Sequence, residues 1–246
     1  MNTIEIPDNI FKKYLINIFD KDGDGEISEE EALAIECIHC PLMGVKSFDG
    51  IEYFHNLRRL DCVFNGIEIL DFRNNIKLKY LNCADNFGLK RLDISSCKSL
   101  EYLNCIQCHD IEDFNISNNT SLKKIYCGGM HKEMDIDLSL HKDLEAISLR
   151  YNDIHIIDLS SNIKLRELNV RHCSLGELDL SENILLEKLD CRENQFKTID
   201  LSKNINFASL VCDIDFKFNP IGHWEYKTKR LNGKEYATWS KIPDTN

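Results

Sequence analysis

The residues best equipped for chemistry lie near the start of the chain, in FDKDGDGEISEEEA, residues 19–32. Asp20, Asp22 and Asp24 would fill positions 1, 3 and 5 of a twelve-residue ion-binding loop. Gly25 takes position 6, where the chain must turn sharply. Glu26 would offer its backbone carbonyl at position 7, Ser28 would act through water at 9, and Glu31 would close the loop at 12 with both carboxylate oxygens. Carboxylates this close repel one another without a cation, and oxygen donors suit a hard ion, so the loop predicts one bound Ca2+. Ile27 would pin the loop to the protein. An acidic turn capping a helix is the plainer reading of the same residues.

Other chemistry is hard to find. The chain has no glycine-rich phosphate loop, nucleophile elbow or metalloprotease helix. Its eight histidines are scattered, and His109, His131 and His141 are expected at the solvated surface. No catalytic residue is predicted, and the protein is not expected to be an enzyme. Two cysteine pairs, Cys37/Cys40 and Cys105/Cys108, have zinc-like spacing, but a closed zinc site needs four converging ligands.

The spacing of the eleven cysteines points elsewhere. Cys40, Cys62, Cys83, Cys105, Cys127, Leu149, Val170, Cys191 and Cys212 recur every 21 or 22 residues. A second column, Phe48, Leu70, Leu92, Phe114, Ile136, Ile157, Leu178 and Ile199, keeps pace with them. Such self-similarity marks a solenoid. In each repeat an extended triplet points residues such as Leu60 and Cys62 inward and Asp61 and Val63 outward, the period of a strand. Asn65, Asn86, Asn152 and Asn194 share one position after the strand, where Cys108 and Cys173 also occur. There an amide can pair backbone groups that would otherwise be buried alone. A column that accepts Cys, Leu or Val is packing, so the thiols are expected to be reduced and metal-free.

Both ends of the array are marked. Ile10, Phe11, Tyr14, Leu15, Ile18 and Phe19 recur at helical spacing before the acidic loop, and EEEALAIEC follows it with room for about two helical turns. After Cys212 the period stops, and HWEYKTKRLNGKEYATWSKI reads as two strands turning at Asn232-Gly233. Its aromatics Trp224, Tyr226, Tyr236 and Trp239 are expected to cover the last coil. A carbohydrate-binding strip is the alternative use for them.

The motif LDCRENQFKTIDLSKNINF resembles bacterial leucine-rich repeats of the internalin type, in the subclass with a cysteine ladder, as found in surface proteins of Bacteroidetes. The likeness covers about residues 38–215. The acidic loop is similar to a single EF-hand. Together they imply an α/β fold: a leucine-rich-repeat solenoid with a parallel β-sheet on its concave face. An EF-hand-like helical cap would occupy 1–37, the repeat array 38–215 and a β-hairpin cap 216–246. The resemblance also implies an extracellular or cell-surface setting. MNTIEIPDNIF lacks the basic and apolar regions of a signal peptide, so either a leader has been removed or the protein is cytoplasmic.

With 30 basic against 41 acidic residues the net charge is −11, which disfavours nucleic-acid and anionic-membrane binding. No apolar run is long enough to cross a bilayer. The outward positions of the sheet are the natural binding surface. There Arg150, Arg171 and Arg192 stack on successive coils beside Tyr151 and His172. Like charges on neighbouring strands need compensation. It could come from Asp190, Glu193 and Asp213, or from an acidic protein segment or glycan. The function these readings predict is noncatalytic binding of a protein or glycan on the concave face, by a monomer whose cap is stabilised by Ca2+. A structural spacer without a ligand of its own is the alternative.

Overall fold

The computed structural model describes residues 2–219 and 222–242. It divides into two compact units, one ending at Leu122 and the other beginning at Lys123.

The first unit opens with helix α1 (Asn9–Phe19), where Asp8 accepts hydrogen bonds from the free N–H groups of Ile10 and Phe11. Phe11 and Leu15 are fully buried, and the Phe11 ring lies 4.5 Å from Phe48. The amphipathic helix thus covers the first coil. Helix α2 (Glu29–Ala34) starts with a capping box between Ser28 and Glu31. Short strands follow: β1 (Cys37–His39), β2 (Arg59–Asp61), β3 (Ile69–Asp71), β4 (Tyr80–Asn82), β5 (Arg91–Asp93) and β6 (Tyr102–Asn104). Strands β1, β2, β4 and β6 pair in parallel, with Ile38, Leu60, Leu81 and Leu103 in register. Strands β3 and β5 form a separate parallel pair.

The second unit repeats the plan. Strands β7 (Lys124–Tyr126), β8 (Ala146–Ser148), β9 (Glu167–Asn169) and β10 (Lys188–Asp190) stack in parallel. Next come β11 (Thr198–Ile199), β12 (Ser209–Asp213) and β13 (Lys217–Phe218); β12 continues the stack beside β10, and β11 pairs with β13. Strands β14 (Trp224–Leu231) and β15 (Lys234–Lys241) make the expected hairpin, turning through Asn232 and Gly233, both at positive φ. Strand β15 adds antiparallel to β12. Trp224 packs on Phe207 and Phe218, Trp239 on Phe218, and Tyr236 is buried, while Tyr226 stays 45% exposed.

The inward column is as the sequence implies. Cys40, Cys62, Cys83, Cys105, Cys127, Leu149, Val170, Cys191 and Cys212 are all buried. All eleven cysteines are free thiols, and Cys37 is exposed. Burial pushes the Cys40, Cys97, Cys173 and Cys212 thiols up to about 12, so they stay protonated and behave as small apolar groups.

The asparagines act as expected. Asn86 donates to the Cys62 carbonyl of the preceding coil at 3.1 Å and to the Cys83 carbonyl of its own coil at 2.8 Å. Its oxygen accepts from the Asn65 N–H at 3.1 Å. Cys108 and Cys173 replace the amide with a thiol donor, each 3.2 Å from a carbonyl of the preceding coil. A second ladder was not anticipated. In the first unit it comprises Asn75, Cys97 and Asn119; in the second, His141, Asn162, Asn183 and Asn204. Asn183, for example, donates to the carbonyls of Leu159 and Asn162, both at 3.0 Å. His141 is therefore not a surface residue: only 1% of it is exposed, because the turn needs a buried polar group there.

The residue before the first ladder adopts the left-handed conformation in coil after coil: Leu42, Phe64, Asp85 and Gln107 in one unit, Gly129, Tyr151, His172 and Glu193 in the other. A side chain there costs about 1–2 kcal/mol. The conformation turns the N–H onto the next coil, as in Phe64 to the Ala84 carbonyl at 2.9 Å and Tyr151 to Arg171 at 2.9 Å. Those bonds offset the strain.

Replacing Cys62, which is fully buried in the column, by Ser puts an unpaired hydroxyl among apolar neighbours. The expected loss is ~1–3 kcal/mol in urea unfolding. Titration of the unfolded, unreduced protein should count eleven thiols, and a markedly lower count would mean disulfides.

Candidate functional site

The acidic loop gathers the predicted ligands incompletely. Asp20, Asp22 and Asp24 each place one carboxylate oxygen within 4.8 Å of the others. Asp20 accepts from the N–H of Gly23 at 2.7 Å and of Gly25 at 3.0 Å, and both glycines have positive φ. These bonds aim the Asp20 carboxylate into the loop and explain why glycines stand there. Glu31 is directed differently. One oxygen accepts from the Lys21 N–H at 2.7 Å, and the other from the Ser28 N–H and hydroxyl at 2.9 and 2.8 Å. The Ser28 and Lys21 N–H groups hold its carboxyl below the usual range. Ser28 serves as the helix cap, and the Glu26 side chain pairs with Lys12 at 2.6 Å. The three-carboxylate cluster, with Asp20 half-buried and Asp22 and Asp24 exposed, has the oxygen donors that suit a hard cation.

Ile27 is fully buried, as its loop position requires. The chain's own N-terminal segment braces the loop. Ile4 donates to the Ile27 carbonyl and Glu29 to the Asn2 carbonyl, both at 2.9 Å, and Thr3 forms an antiparallel bridge with Ser28. Nothing in the sequence marked residues 2–4 for that role.

In the second unit the arginine column is less open than expected. Arg171 is only 8% exposed. Its Nη2 and Nε lie 2.6 and 2.9 Å from Glu193 Oε1. Arg192 forms a forked pair with Asp190 at 2.5 and 2.8 Å. Lys234 and the Tyr236 hydroxyl, both from the hairpin, donate to Glu193 at 2.7 and 2.9 Å. The Tyr236 ring lies 5.5 Å from the Arg171 guanidinium and 4.8 Å from that of Arg192. Asp213 instead pairs with Lys197 at 3.2 Å. Arg171 and Arg192 thus fasten the hairpin to the sheet. Tyr151 and His172 remain partly or fully exposed beside them, rings 5.3 Å apart. Arg150 is half-buried.

The first unit carries a row of exposed aromatic side chains. At the margin of its sheet, Phe64 and Phe87 meet edge to face at 5.9 Å, and Phe87 stacks on His109 at 5.7 Å. Phe64 is 50% and Phe87 46% exposed. On the strands themselves, Tyr80 lies between Tyr102, stacked at 4.2 Å, and the Arg59 guanidinium at 3.5 Å.

No protein-family model and no curated protein matches this chain. Solved structures do. An internalin (inlF) of Listeria monocytogenes aligns with a TM-score of 0.64 and 22% identity over 88% of this chain and 72% of its own. Internalin C2 (inlC2) of the same organism gives 0.60 and 20% identity over 87% of each chain. The functional domain of InlJ from Listeria monocytogenes, which includes a cysteine ladder, aligns at 0.48 and 23% identity over 88% of this chain. This chain spans 62% of that one. The fold is a leucine-rich-repeat solenoid. Identities this low establish the architecture and leave the ligand to be argued from the surface.

Burial alone would push the Glu193 carboxyl up, but hydrogen bonds from Lys234, Arg171 and Tyr236 outweigh it and bring it down to about 2 from 4.5. A lowered folded-state value means that the network's contribution is complete above about pH 4.5 and is lost as the pH falls through about 2. Amide exchange along β15 should accelerate over that window. Glu193→Gln should loosen β15 already at neutral pH and remove the acid step. A β15 indifferent to both changes would show that the network does not hold the hairpin.

Proposed function

We propose that this protein is a noncatalytic binding scaffold whose ligand, a protein or glycan, docks on the concave face of the leucine-rich repeats. The observation that carries the reading is the aromatic row Phe64, Phe87 and His109, where two large apolar side chains stay about half exposed on a rigid sheet margin. Exposed apolar groups held in a fixed array mark interaction surfaces. A rigid platform also lowers the entropy lost on binding. The solenoid neighbours include internalins, which fits an extracellular or cell-surface setting.

The test is a screen of the folded protein against arrayed peptides and glycans, beside the double variant Phe64→Ser/Phe87→Ser. Binding that survives in the wild type and is lost in the variant supports the reading. Binding indifferent to the substitution would exclude this margin. A wild type that binds nothing would leave a structural spacer.

Within the same reading, Ca2+ belongs to the N-terminal cap. Asp20, Asp22 and Asp24 would hold it, with the Glu26 carbonyl, Ser28 and Glu31 completing the set. The Glu31 carboxylate would have to exchange its present N–H partners for the ion, so a weak site is expected, with Kd ~10−4–10−3 M. At a hundredfold excess over Kd the ion would stabilise the cap by about 2.7 kcal/mol. Coils couple mainly to their neighbours, so chelation with EDTA should speed amide exchange in residues 8–36 and at Cys40, leaving Cys191 protected. Uniform loss of protection would make the ion a global folding ligand, and no change would remove it from the cap.

A further inference from the structure

Of the three stacked arginines, Arg150 alone has no carboxylate partner among the described residues, since Glu193 serves Arg171 and Asp190 serves Arg192. Its placement is built rather than incidental. The Arg150 side chain runs back across Gly128, where even a Cβ would come within 2.6 Å of its Cγ and of its carbonyl oxygen. Only glycine leaves room for that path. The Arg150 Nε is buried and has no hydrogen-bond partner among the described residues. A donor buried in this way is out of reach of solvent, so the outer end of the guanidinium is what a ligand can meet. Beside it stands the Tyr151 ring, 5.1 Å from the Arg171 guanidinium and flanked by His131 and His172 with ring centroids at 6.0 and 5.3 Å. The cluster has positive and aromatic groups, and its nearest carboxylates are already engaged.

We infer that Arg150 is the anchor for a carboxylate of an acidic protein segment, received as a fork on its two terminal amines. The forked geometry matches a planar carboxylate. Tyr151 supplies a rigid ring against which the segment packs, and arginine beside tyrosine is the composition of protein-binding hot spots. The assignment separates two roles within one column: Arg171 and Arg192 hold the hairpin, and Arg150 meets the ligand. It rests on the reading of the sheet face as a binding surface and names a partner chemistry for it.

The experiment titrates the full chain with a hexaglutamate peptide, a hexaglutamine peptide and polygalacturonate, and repeats each with Arg150→Gln. Nuclear magnetic resonance follows the rings of Tyr151 and His172. The expected result is hexaglutamate binding that shifts both rings and weakens at least tenfold in Arg150→Gln, with hexaglutamine silent. The variant should melt no lower than the wild type, because no ion pair is lost and the unpaired Nε is removed. Equal hexaglutamate binding by wild type and variant, or none by either, would overturn the anchor. Tighter, Arg150-dependent binding of polygalacturonate would overturn the peptide assignment in favour of an acidic glycan. The Phe64/Phe87 screen probes the scaffold reading separately, so either can fail alone.

Discussion

A stack of tight coils buries the carbonyl groups of its own turns, and each one needs a donor that the backbone cannot supply. The asparagine ladders provide it. One amide reaches the carbonyl of its own coil and that of the preceding coil, as Asn194 does with Cys191 at 3.0 Å and Val170 at 2.7 Å. The same side chain therefore closes a turn and joins two coils. This constraint fixes the repeat length. From Asn75 to Asn86, Cys97 to Cys108, His141 to Asn152, Asn162 to Cys173 and Asn183 to Asn194, the separation is always 11 residues. That stretch contains the rung and is held at both ends. The other arc, Asn65 to Asn75 or Asn86 to Cys97, takes 10 or 11 residues, so the chain's only drift in period falls there.

The demand that buried polar groups be paired also governs the C-terminal end. Arginines on successive strands repel, and burial sharpens the repulsion by removing solvent. Asp190 neutralises Arg192 from the same coil, while Arg171 reaches Glu193 on the next. Glu193 in turn accepts from Lys234 and Tyr236, more than forty residues further along the chain. The hairpin is thus held by charge as well as by its strand register with β12. Its outer strand β14 leaves one edge unpaired by any described strand, and Lys227, Lys229 and Arg230 line it, a composition that discourages edge-to-edge association.

What the sequence revealed follows from where each signal lies. The inward column and its cysteines were legible because a strand's period of two and a near-constant repeat are local patterns. The hairpin was legible from Asn232-Gly233 for the same reason. The second ladder has as regular a spacing, yet Cys97 and His141 interrupt its asparagines and His141 looks like a surface residue. The left-handed column was hidden because Phe64, Gln107, Tyr151 and His172 are not residues that announce positive φ. The arginine pairs were half visible, since Asp190 and Glu193 lie nearby, but Tyr236, Lys234 and the brace at residues 2–4 come from afar. Long-range partners leave no periodic trace, and they decide which arginine stays available.

At the start of the array the problem is inverted, because the first coil presents N–H groups with no earlier coil to accept them. The cap meets this with side-chain oxygens. The Tyr14 hydroxyl accepts from the His39 N–H at 3.0 Å, and Asp8 accepts from Lys46 and Ser47 at 2.8 and 3.2 Å while also capping α1. Both acceptors ride on or beside α1, so the helix must be correctly oriented for the first coil to close. Its C-terminal end runs directly into Asp20 and the acidic loop, and Ile27 and the segment at residues 2–4 anchor the loop's far side. A cation among Asp20, Asp22 and Asp24 would relieve the repulsion in the loop between α1 and α2. Its effect would pass to the first coil through Asp8 and Tyr14, two oxygens that do not ligate it.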